Sequence, residues 1–321
     1  MERAPVIDFH AHFLVREVLE QCLPRAVATN RGHHQLPPHL FALFEKMMTP
    51  KGMIDDGQAS DRYERDLIGD CDRAHLLARP AVALKLSQQL NDTAAEWMAN
   101  SPNRFIGSFV LPLQDMDLAM KELKRAVDDL GLKVANVPAE IRGIYLGDAR
   151  FRPFWEAVED LGVVTFMHSD GAKDPWFFQW GMWDSLGQSL EEAKFMASVI
   201  YEGVLETHPK LKLIIAHGGG YFPHNMGRLD RNVKNAPQSM KNITRKPSEY
   251  LRNVYYDTCL YDPTVLSALI KVVGPDRLLL GADWSIGEAD PLGFVDRSPN
   301  LDEADKRMIK GGRTAELIGL Q

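Results

Sequence analysis

Several features that assign proteins to common classes are scarce or missing in this chain of 321 residues. Its three cysteines are odd in number and widely spaced, which argues against a disulfide framework and favours a reducing compartment. Lysine and arginine (37) are fewer than aspartate and glutamate (44). The resulting net charge of -7 gives no reason to expect binding to nucleic acid or to an anionic membrane.

Long apolar runs, internal repeats and low-complexity tracts are also missing. No run approaches the roughly 20 apolar residues that a membrane helix needs. The first predicted strand begins by Val6, which leaves no room for a signal peptide, so we expect a cytoplasmic protein. Length alone suggests about two domains, but α/β barrels reach this length as one unit. With 45% hydrophobic residues, enough for one large core, we expect residues 1–321 to form a single domain.

Four short apolar runs stand out because each ends on a residue type that binds metals. The runs are continuous and rich in leucine or β-branched residues, as buried parallel strands are. A polar residue buried at a strand end costs stability unless it has a partner, so several of them at the same end of successive strands indicate one shared site. These terminal residues are His10, His12, His168, His217 and Asp283.

The alternation of strands and helices predicts the fold. Amphipathic or capped helical stretches fall between most of the strands, for example Asp115–Leu130 before Gly131 and Pro263–Val273 after Asp262. Eight strands alternating with helices over this length predict a TIM (β/α)8 barrel, whose active site lies at the carboxyl ends of the strands. The predicted strands are 6–12, 81–84, 105–111, 132–138, 163–168, 211–217, 254–258 and 278–283.

One segment interrupts this alternation. Residues 14–66 are too long for an ordinary βα loop and follow the first strand on the active-site face. We therefore interpret them as an insertion that serves as a lid or a dimer arm. A surface insertion without a function is the alternative.

The terminal residues of the strands form a plausible ligand set for one metal ion. His10 and His12 are two positions apart on a strand, so their side chains point to the same face. His168 adds a third imidazole and Asp283 adds a carboxylate. Three histidines and an aspartate with an open water position fit a catalytic zinc or a similar divalent ion. The alternatives are that His10 and His12 meet at the strand end by chance, that His168 is a core histidine with a satisfied hydrogen bond, and that Asp283 caps a following helix.

His217 is followed by Gly218, Gly219 and Gly220, which let backbone or substrate approach closely. It could be a fifth ligand, but we favour a general acid or base beside the metal. A second metal would need a bridging ligand such as a modified lysine on the fourth strand. Lys133 lies near the start of that strand, which is the wrong end, so we predict one metal.

An aromatic segment follows His168 and leaves the predicted active-site face. It contains three of the six tryptophans, Trp176, Trp180 and Trp183. These rings could form a wall against a flat, conjugated substrate. Packing against the insertion or against a second subunit is an equally good explanation.

The residues above, with their neighbours, resemble the amidohydrolase-related family, in the branch around aminocarboxymuconate semialdehyde decarboxylase. The likeness spans nearly the whole chain and its motifs occur in the family's order. The motifs are Ile7-Asp8-Phe9-His10-Ala11-His12, Pro102–Gly107, Phe151–His168, Glu202–Glu206, Pro209–Lys212, Ala216–Gly220, Gly227-Arg228, Gly281-Ala282-Asp283 and Lys310–Gly312.

The resemblance implies a TIM-barrel metalloenzyme, often dimeric, that removes a carboxylate from an unsaturated or aromatic acid without a redox cofactor. In that case His10, His12, His168 and Asp283 would bind one zinc ion, with manganese as the alternative. His217 would move the proton, together with Asp283. Further residues would bind a small anionic organic substrate, either in the insertion or across a homodimer interface; these are Arg62 and Arg228.

The chain also departs from the decarboxylases that it resembles. Those enzymes carry Pro-Trp-Asp after the third histidine, where this chain has Ser169-Asp170-Gly171. They carry Thr-Asp-Tyr-Pro at the eighth strand, where this chain has Ala282–Ser285. Their second substrate-binding arginine aligns near Gln58, and Arg62 and Arg65 are only nearby. A hydrolase or hydratase of a lactone, cyclic imide or unsaturated acid is therefore an alternative, and a barrel that binds ligand without chemistry is a second one.

Overall fold

A computed structural model describes residues 5–13, 65–70 (backbone only), 78–284 and 287–320. Within these ranges, eight parallel strands form one sheet in the order β1-β2-β3-β4-β7-β8-β9-β10. A two-stranded antiparallel hairpin, β5 with β6, lies between β4 and β7. The strands are β1 Ile7–Phe13, β2 Arg65–Asp70, β3 Phe105–Phe109, β4 Val134–Val137, β5 Glu140–Ile141, β6 Ile144–Tyr145, β7 Val164–Met167, β8 Lys212–Ile215, β9 Tyr255–Asp257 and β10 Leu278–Leu279.

Hydrogen bonds join the two edges of the sheet. The amide of Phe9 donates to the carbonyl of Leu280 at 2.9 Å, and the amide of His12 donates to the carbonyl of Trp284 at 3.1 Å. Trp284 in turn donates to the carbonyl of His10 at 3.1 Å. The segment that continues β10 therefore pairs with β1, and the eight strands close into the predicted (β/α)8 barrel.

Helices connect the strands around the barrel, as the alternation in the sequence predicts. Pro263–Val273 has the predicted bounds. The helices Gly187–Tyr201 and Val204–Thr207 are separated at Gly203, which has a φ of 81°. The helices are Pro80–Asn100, Met116–Asp128, Arg152–Asp160, Met182–Ser185, Gly187–Tyr201, Val204–Thr207, Met226–Asn235, Pro263–Val273, Pro291–Asp296, Glu303–Arg307 and Arg313–Ile318. No helix in the described ranges is long and apolar enough to cross a membrane.

One predicted strand is wrong. Residues 81–84 belong to the helix Pro80–Asn100, which begins with proline at its first position and buries residues at helical spacing, including Ala83, Leu86 and Leu90. The second strand is instead β2, which carries charged residues at both ends and so lacks the appearance of a buried strand. Short apolar runs do not by themselves distinguish a strand from the first turns of a buried helix.

Of the other predicted strands, β1 has the expected length with bounds shifted by one residue, and the remaining six are present but shorter than expected. His168 directly follows β7, His217 lies two positions after β8, and Asp283 lies four positions after β10. The predicted insertion 14–66 lies outside the described residues, except that its last two residues belong to β2. The prediction of a single domain over 1–321 stays a prediction.

Two apolar clusters build the core. The larger one lies between the strands and the surrounding helices. The smaller one fills the barrel with side chains such as Phe9, Phe166 and Ile214, and the C-terminal helix adds Leu317 and Ile318 to it.

That C-terminal helix covers the amino ends of the strands. Lys133 Nζ and Lys212 Nζ donate to the carbonyls of Ile318 and Leu317, at 3.1 and 2.7 Å. Lys133 therefore lies at the end of the barrel where the amino ends of β4 and β8 are, as the sequence predicts.

A register shift in β1 directs its histidines inward. Between Asp8 and Ala11, β1 has one more residue than its partner β2. Both Phe9 and His10 consequently contact Phe166, with ring centroids 5.4 and 5.1 Å apart. A β-bulge of this kind changes the direction of a side chain at a barrel rim.

Candidate metal centre

Five buried side chains meet where the strands end. They are the five residues that the sequence analysis selected, and none is more than 8% exposed: His10, His12, His168, His217 and Asp283. Ring centroids of neighbouring histidines are 4.9 to 5.2 Å apart. The strand ends therefore bring together five residues that lie far apart in the sequence, from His10 to Asp283.

Asp283 is at the centre of this group. Its Oδ1 lies 2.9 Å from His12 Nε2 and 3.2 Å from His10 Nε2. Its Oδ2 lies 3.6 Å from His217 Nε2. One carboxylate is thus shared by three imidazoles.

The donor atoms fit a divalent ion. One ligand atom each from His10, His168, His217 and Asp283 lies within 4.8 Å of the other three. Ligand atoms of a tetrahedral zinc lie about 3.6 Å apart at bond lengths of about 2.2 Å, a spacing close to that of this group. His217 Nε2 is buried and has no hydrogen-bond partner, so it is free to bind an ion or exchange a proton. His12 adjoins the same four residues through its contact with Asp283.

The backbone is strained at two of these positions. His217 has a φ of 49° and Asp283 a φ of 55°, both in the left-handed region. Non-glycine residues there cost about 1–3 kcal/mol each and concentrate at functional sites. Local hydrogen bonds hold the two turns, since Gly220 donates to the carbonyl of His217 at 3.1 Å and Gly287 to that of Asp283 at 2.7 Å.

Asp257 is a member of this buried site that the sequence analysis missed. It is fully buried at the end of β9, and its Oδ2 lies 2.6 Å from His10 Nδ1, so that Nε2 of His10 faces the group. Its Oδ1 accepts from the amides of Gly218 and Cys259, each at 3.2 Å. Asp257 is the polar residue at the carboxyl end of a predicted strand, the same signal that identified the other members.

Glycine at position 281 is necessary for this arrangement. A Cβ atom there would lie 2.7 Å from Asp257 Cβ and 3.0 Å from His10 Cβ. Any larger residue would therefore push apart the aspartate and the histidine that it orients.

Glu192 is the second residue that was missed. It lies on the helix Gly187–Tyr201 with no exposed surface, and its Oε1 is 2.5 Å from His217 Nδ1. The hydroxyl of Ser169 lies 3.2 Å from the same oxygen and 3.1 Å from the carbonyl of Gln188. A buried carboxylate within an otherwise amphipathic helix is a weak signal in the sequence, because glutamate is common on helix surfaces.

Burial and neighbouring charges shift the pKa values in opposite directions. Burial lowers the pKa of His10, but Asp283 and Asp257 outweigh it and raise that pKa to about 9. Burial also lowers the pKa of His217, but Glu192 and Asp283 outweigh this effect and raise that pKa well above its usual value. Burial and the neighbouring histidines lower the pKa of His168, while the histidines hold that of Asp283 well below its usual range, against the effect of burial. Metal binding would displace protons from these imidazoles.

Those predicted substrate residues that the structure describes lie at the surface. Trp180 is 76% exposed with a φ of 53°, and Trp176 and Trp183 are 51% and 38% exposed. Arg228 is exposed on the helix Met226–Asn235, a helix that buries none of its residues. Arg62 lies outside the described residues.

Curated relatives are similar in sequence to this chain over most of its length. A 2-amino-3-carboxymuconate-6-semialdehyde decarboxylase from Dictyostelium discoideum is 32% identical over 76% of this chain and 69% of its own. A gamma-resorcylate decarboxylase from Polaromonas sp. is 30% identical over 79% of each chain. A 2-keto-4-carboxy-3-hexenedioate hydratase from Sphingobium sp. is 26% identical over 63% of this chain and 59% of its own.

A solved structure has the same fold. A dihydroxybenzoic acid decarboxylase from Polaromonas sp., with bound manganese and the inhibitor 2-nitroresorcinol, matches with a TM-score of 0.86 and 24% identity over 99% of this chain and 97% of that one. The amidohydrolase family model matches residues 7–320. The barrel, the histidines and aspartate at its strand ends and these matches agree: the chain belongs to the amidohydrolase family.

Proposed function

We propose that this protein is a metal-dependent, non-oxidative decarboxylase of an unsaturated or aromatic carboxylic acid, of the carboxymuconate semialdehyde or hydroxybenzoate type. It would then be a carbon–carbon lyase. The observation that carries the proposal is the buried group of His10, His12, His168, His217 and Asp283 at the strand ends, in a chain related to decarboxylases over most of its length.

In this proposal His10, His12, His168 and Asp283 bind one divalent ion. Zinc fits histidine and carboxylate ligands, and manganese is the alternative, since it is bound in the related dihydroxybenzoic acid decarboxylase. When bound, such an ion stabilises negative charge on substrate oxygens as a Lewis acid and lowers the pKa of bound water.

His217 supplies the proton in the proposed reaction. Its Nε2 faces Asp283 Oδ2 at 3.6 Å, so the two groups can pass a proton between them. The proton goes to the carbon that bears the carboxylate. The carbon–carbon bond then breaks, its electron pair restores conjugation or aromaticity, and carbon dioxide leaves.

Surface residues would bind the remainder of a small anionic substrate. Arg228 lies on an exposed helix, which suits a contact made across the interface of a homodimer. The exposed Trp176, Trp180 and Trp183 could orient the flat ring of a substrate once a partner subunit or the insertion covers them. Arg62 would contribute from the insertion. The cytoplasmic location stays a prediction.

Product analysis tests the reaction. The metal-loaded protein is incubated with hydroxybenzoates, carboxymuconates, pyrones and cyclic imides, and products are identified by mass spectrometry. A product lighter by one carbon dioxide is the expected result. A product heavier by one water would contradict decarboxylation and would establish the second candidate, a hydratase or hydrolase in which His217 activates water.

This second candidate has specific support. One relative is a hydratase, and Ser169-Asp170-Gly171 follows His168 where the resembling decarboxylases have Pro-Trp-Asp. The same product panel therefore decides between the two reactions.

Mixing of two variants tests the homodimer. Arg228→Ala and His217→Asn are each expected to be nearly inactive alone. If Arg228 reaches the partner's site, subunit exchange creates heterodimers with one intact site, so that activity returns at about a quarter of all sites. No recovery in a mixture shown to contain heterodimers would place Arg228 outside the partner's site.

A further inference from the structure

We propose that Glu192 and Ser169 are positioning residues for His217: they hold its ring with the proton on Nδ1 and direct Nε2 into the metal centre. This inference rests on the proposed role of His217 in proton transfer. It concerns residues outside the predicted ligand set, which reach that set through His217.

The contacts around Glu192 form a short chain. Ser169 Oγ lies 3.2 Å from Glu192 Oε1, and that same oxygen lies 2.5 Å from His217 Nδ1. Glu192 has no exposed surface, and Ser169 is 1% exposed. Ser169 is anchored as well, because its hydroxyl is 3.1 Å from the carbonyl of Gln188 on the same helix as Glu192.

Burial of Glu192 is costly for stability. Its second oxygen, Oε2, is buried and has no hydrogen-bond partner. A carboxylate removed from water costs several kcal/mol unless a partner compensates it. Its main compensation is His217, which indicates that the position serves the histidine and not the packing of the helix.

The loop that carries His217 is built to approach this helix. Gly220 has a φ of 59°, and a Cβ atom there would lie 2.2 Å from the carbonyl oxygen of Ser189. The next amide in the loop, Tyr221, donates to that same carbonyl at 3.3 Å. Ser189 is one helical turn before Glu192, so the close approach at Gly220 brings the carboxylate within reach of the histidine.

The geometry sets the tautomer of His217. A carboxylate only accepts hydrogen bonds, so Nδ1 must carry the proton that it donates to Glu192. In the neutral ring the lone pair is then on Nε2, which faces Asp283 at 3.6 Å. When the ring is protonated, Nε2 carries the second proton, which it can deliver. Nε2 is consequently the atom that accepts or delivers a proton at the metal centre.

The test combines variants with a direct measurement of the tautomer. Glu192→Gln keeps the size of the side chain, but its amide can accept or donate, so both tautomers become possible. Glu191→Gln is the matched control, because Glu191 is a buried neighbour on the same helix that contacts Tyr145 and Lys194 instead of His217. The ring nitrogens of His217 are observed by NMR in 15N-histidine-labelled, zinc-loaded protein, with His217→Asn used for assignment.

His217 of the wild type is expected to keep a proton on Nδ1 in both its neutral and its protonated form, and Glu191→Gln to leave it there. Glu192→Gln is expected to give a mixture of tautomers and a kcat about 10- to 100-fold lower, with KM and metal content nearly unchanged. Ser169→Ala removes only the outer contact, so we expect a smaller loss of kcat in the same direction.

Two results would overturn the inference. One is a wild-type His217 whose neutral ring carries its proton on Nε2 and none on Nδ1, a result that needs no variant and is independent of how well the variants fold. The other is a folded Glu192→Gln protein with the wild-type tautomer and kcat. The tautomer does not depend on which reaction the protein catalyses. Failure of the proposed decarboxylation would be detected by the product panel, and failure of this inference by the tautomer of His217.

Discussion

The barrel interior is apolar at one end and holds ionisable side chains at the other. Strand β1 contributes to both, with Ile7 and Phe9 in the apolar cluster and His10 and His12 in the candidate metal centre. At the apolar end the chain closes the barrel with Leu317 of the C-terminal helix. At the other end the backbone is strained, His217 Nε2 has no hydrogen bond and the pKa values of His10 and His217 are raised.

The difference separates stability from chemistry. Apolar side chains that fill a barrel stabilise it through burial and close packing. Buried histidines and carboxylates stabilise it little, since their desolvation offsets much of their mutual attraction. Substitutions at the two ends should therefore affect different measurements.

The largest effect is expected from Asp283→Ala. This change removes the carboxylate that three imidazoles share, so we expect loss of bound metal and a fall in turnover of at least about 1,000-fold. Metal per subunit is measured by atomic emission and turnover by product formation. Circular dichroism provides the control for folding, and a variant that keeps one metal per subunit would contradict the assignment of Asp283 as a ligand.

His217→Asn separates proton transfer from metal binding. We expect turnover to fall about 10²- to 10⁴-fold with metal content unchanged, because general acid–base catalysis contributes about that much. The same two measurements apply. Loss of metal together with activity would make His217 a ligand, a role that its position within the four-residue group also allows.

Asp257→Asn acts one step away from the ion. Asp257 orients His10 through Nδ1, and loss of such an outer partner lowers metal affinity about 10- to 100-fold. The measurement is competition against a chelator of known affinity. Asp262→Asn is the control, since Asp262 caps the helix Pro263–Val273 on the exposed surface. Equal affinities in the two variants would remove Asp257 from the site.

The smallest effect is expected at the apolar end. Ile214 lies on β8, three positions before His217, and is fully buried in the cluster inside the barrel. Ile214→Val should lower the free energy of unfolding by about 0.5–1.5 kcal/mol and leave metal content and turnover unchanged. Urea denaturation and the activity assay check both statements. Reduced metal binding would show that the two ends are coupled.

Much of the fold could be predicted from the sequence because buried parallel strands are short and apolar throughout. The candidate site could be predicted because several of these strands are followed by histidine or aspartate. Strand β2 was not predicted because Arg65–Asp70 is charged at both ends. The start of the helix Pro80–Asn100 was predicted as a strand instead, because the run after Pro80 is apolar over only a few residues. The metal-ligand set stays a prediction, although the structure gathers all of its members.

The sequence by itself determined the barrel class and the five polar residues at the strand ends, since periodicity and strand polarity are local properties. Only the tertiary structure decided which partner each histidine has. Asp257 is 247 positions from His10, and Glu192 is 25 positions from His217 on a different element. Such pairs depend on the closure of the barrel and on the approach of one helix to one glycine loop, and those distances are set by packing that no local pattern records.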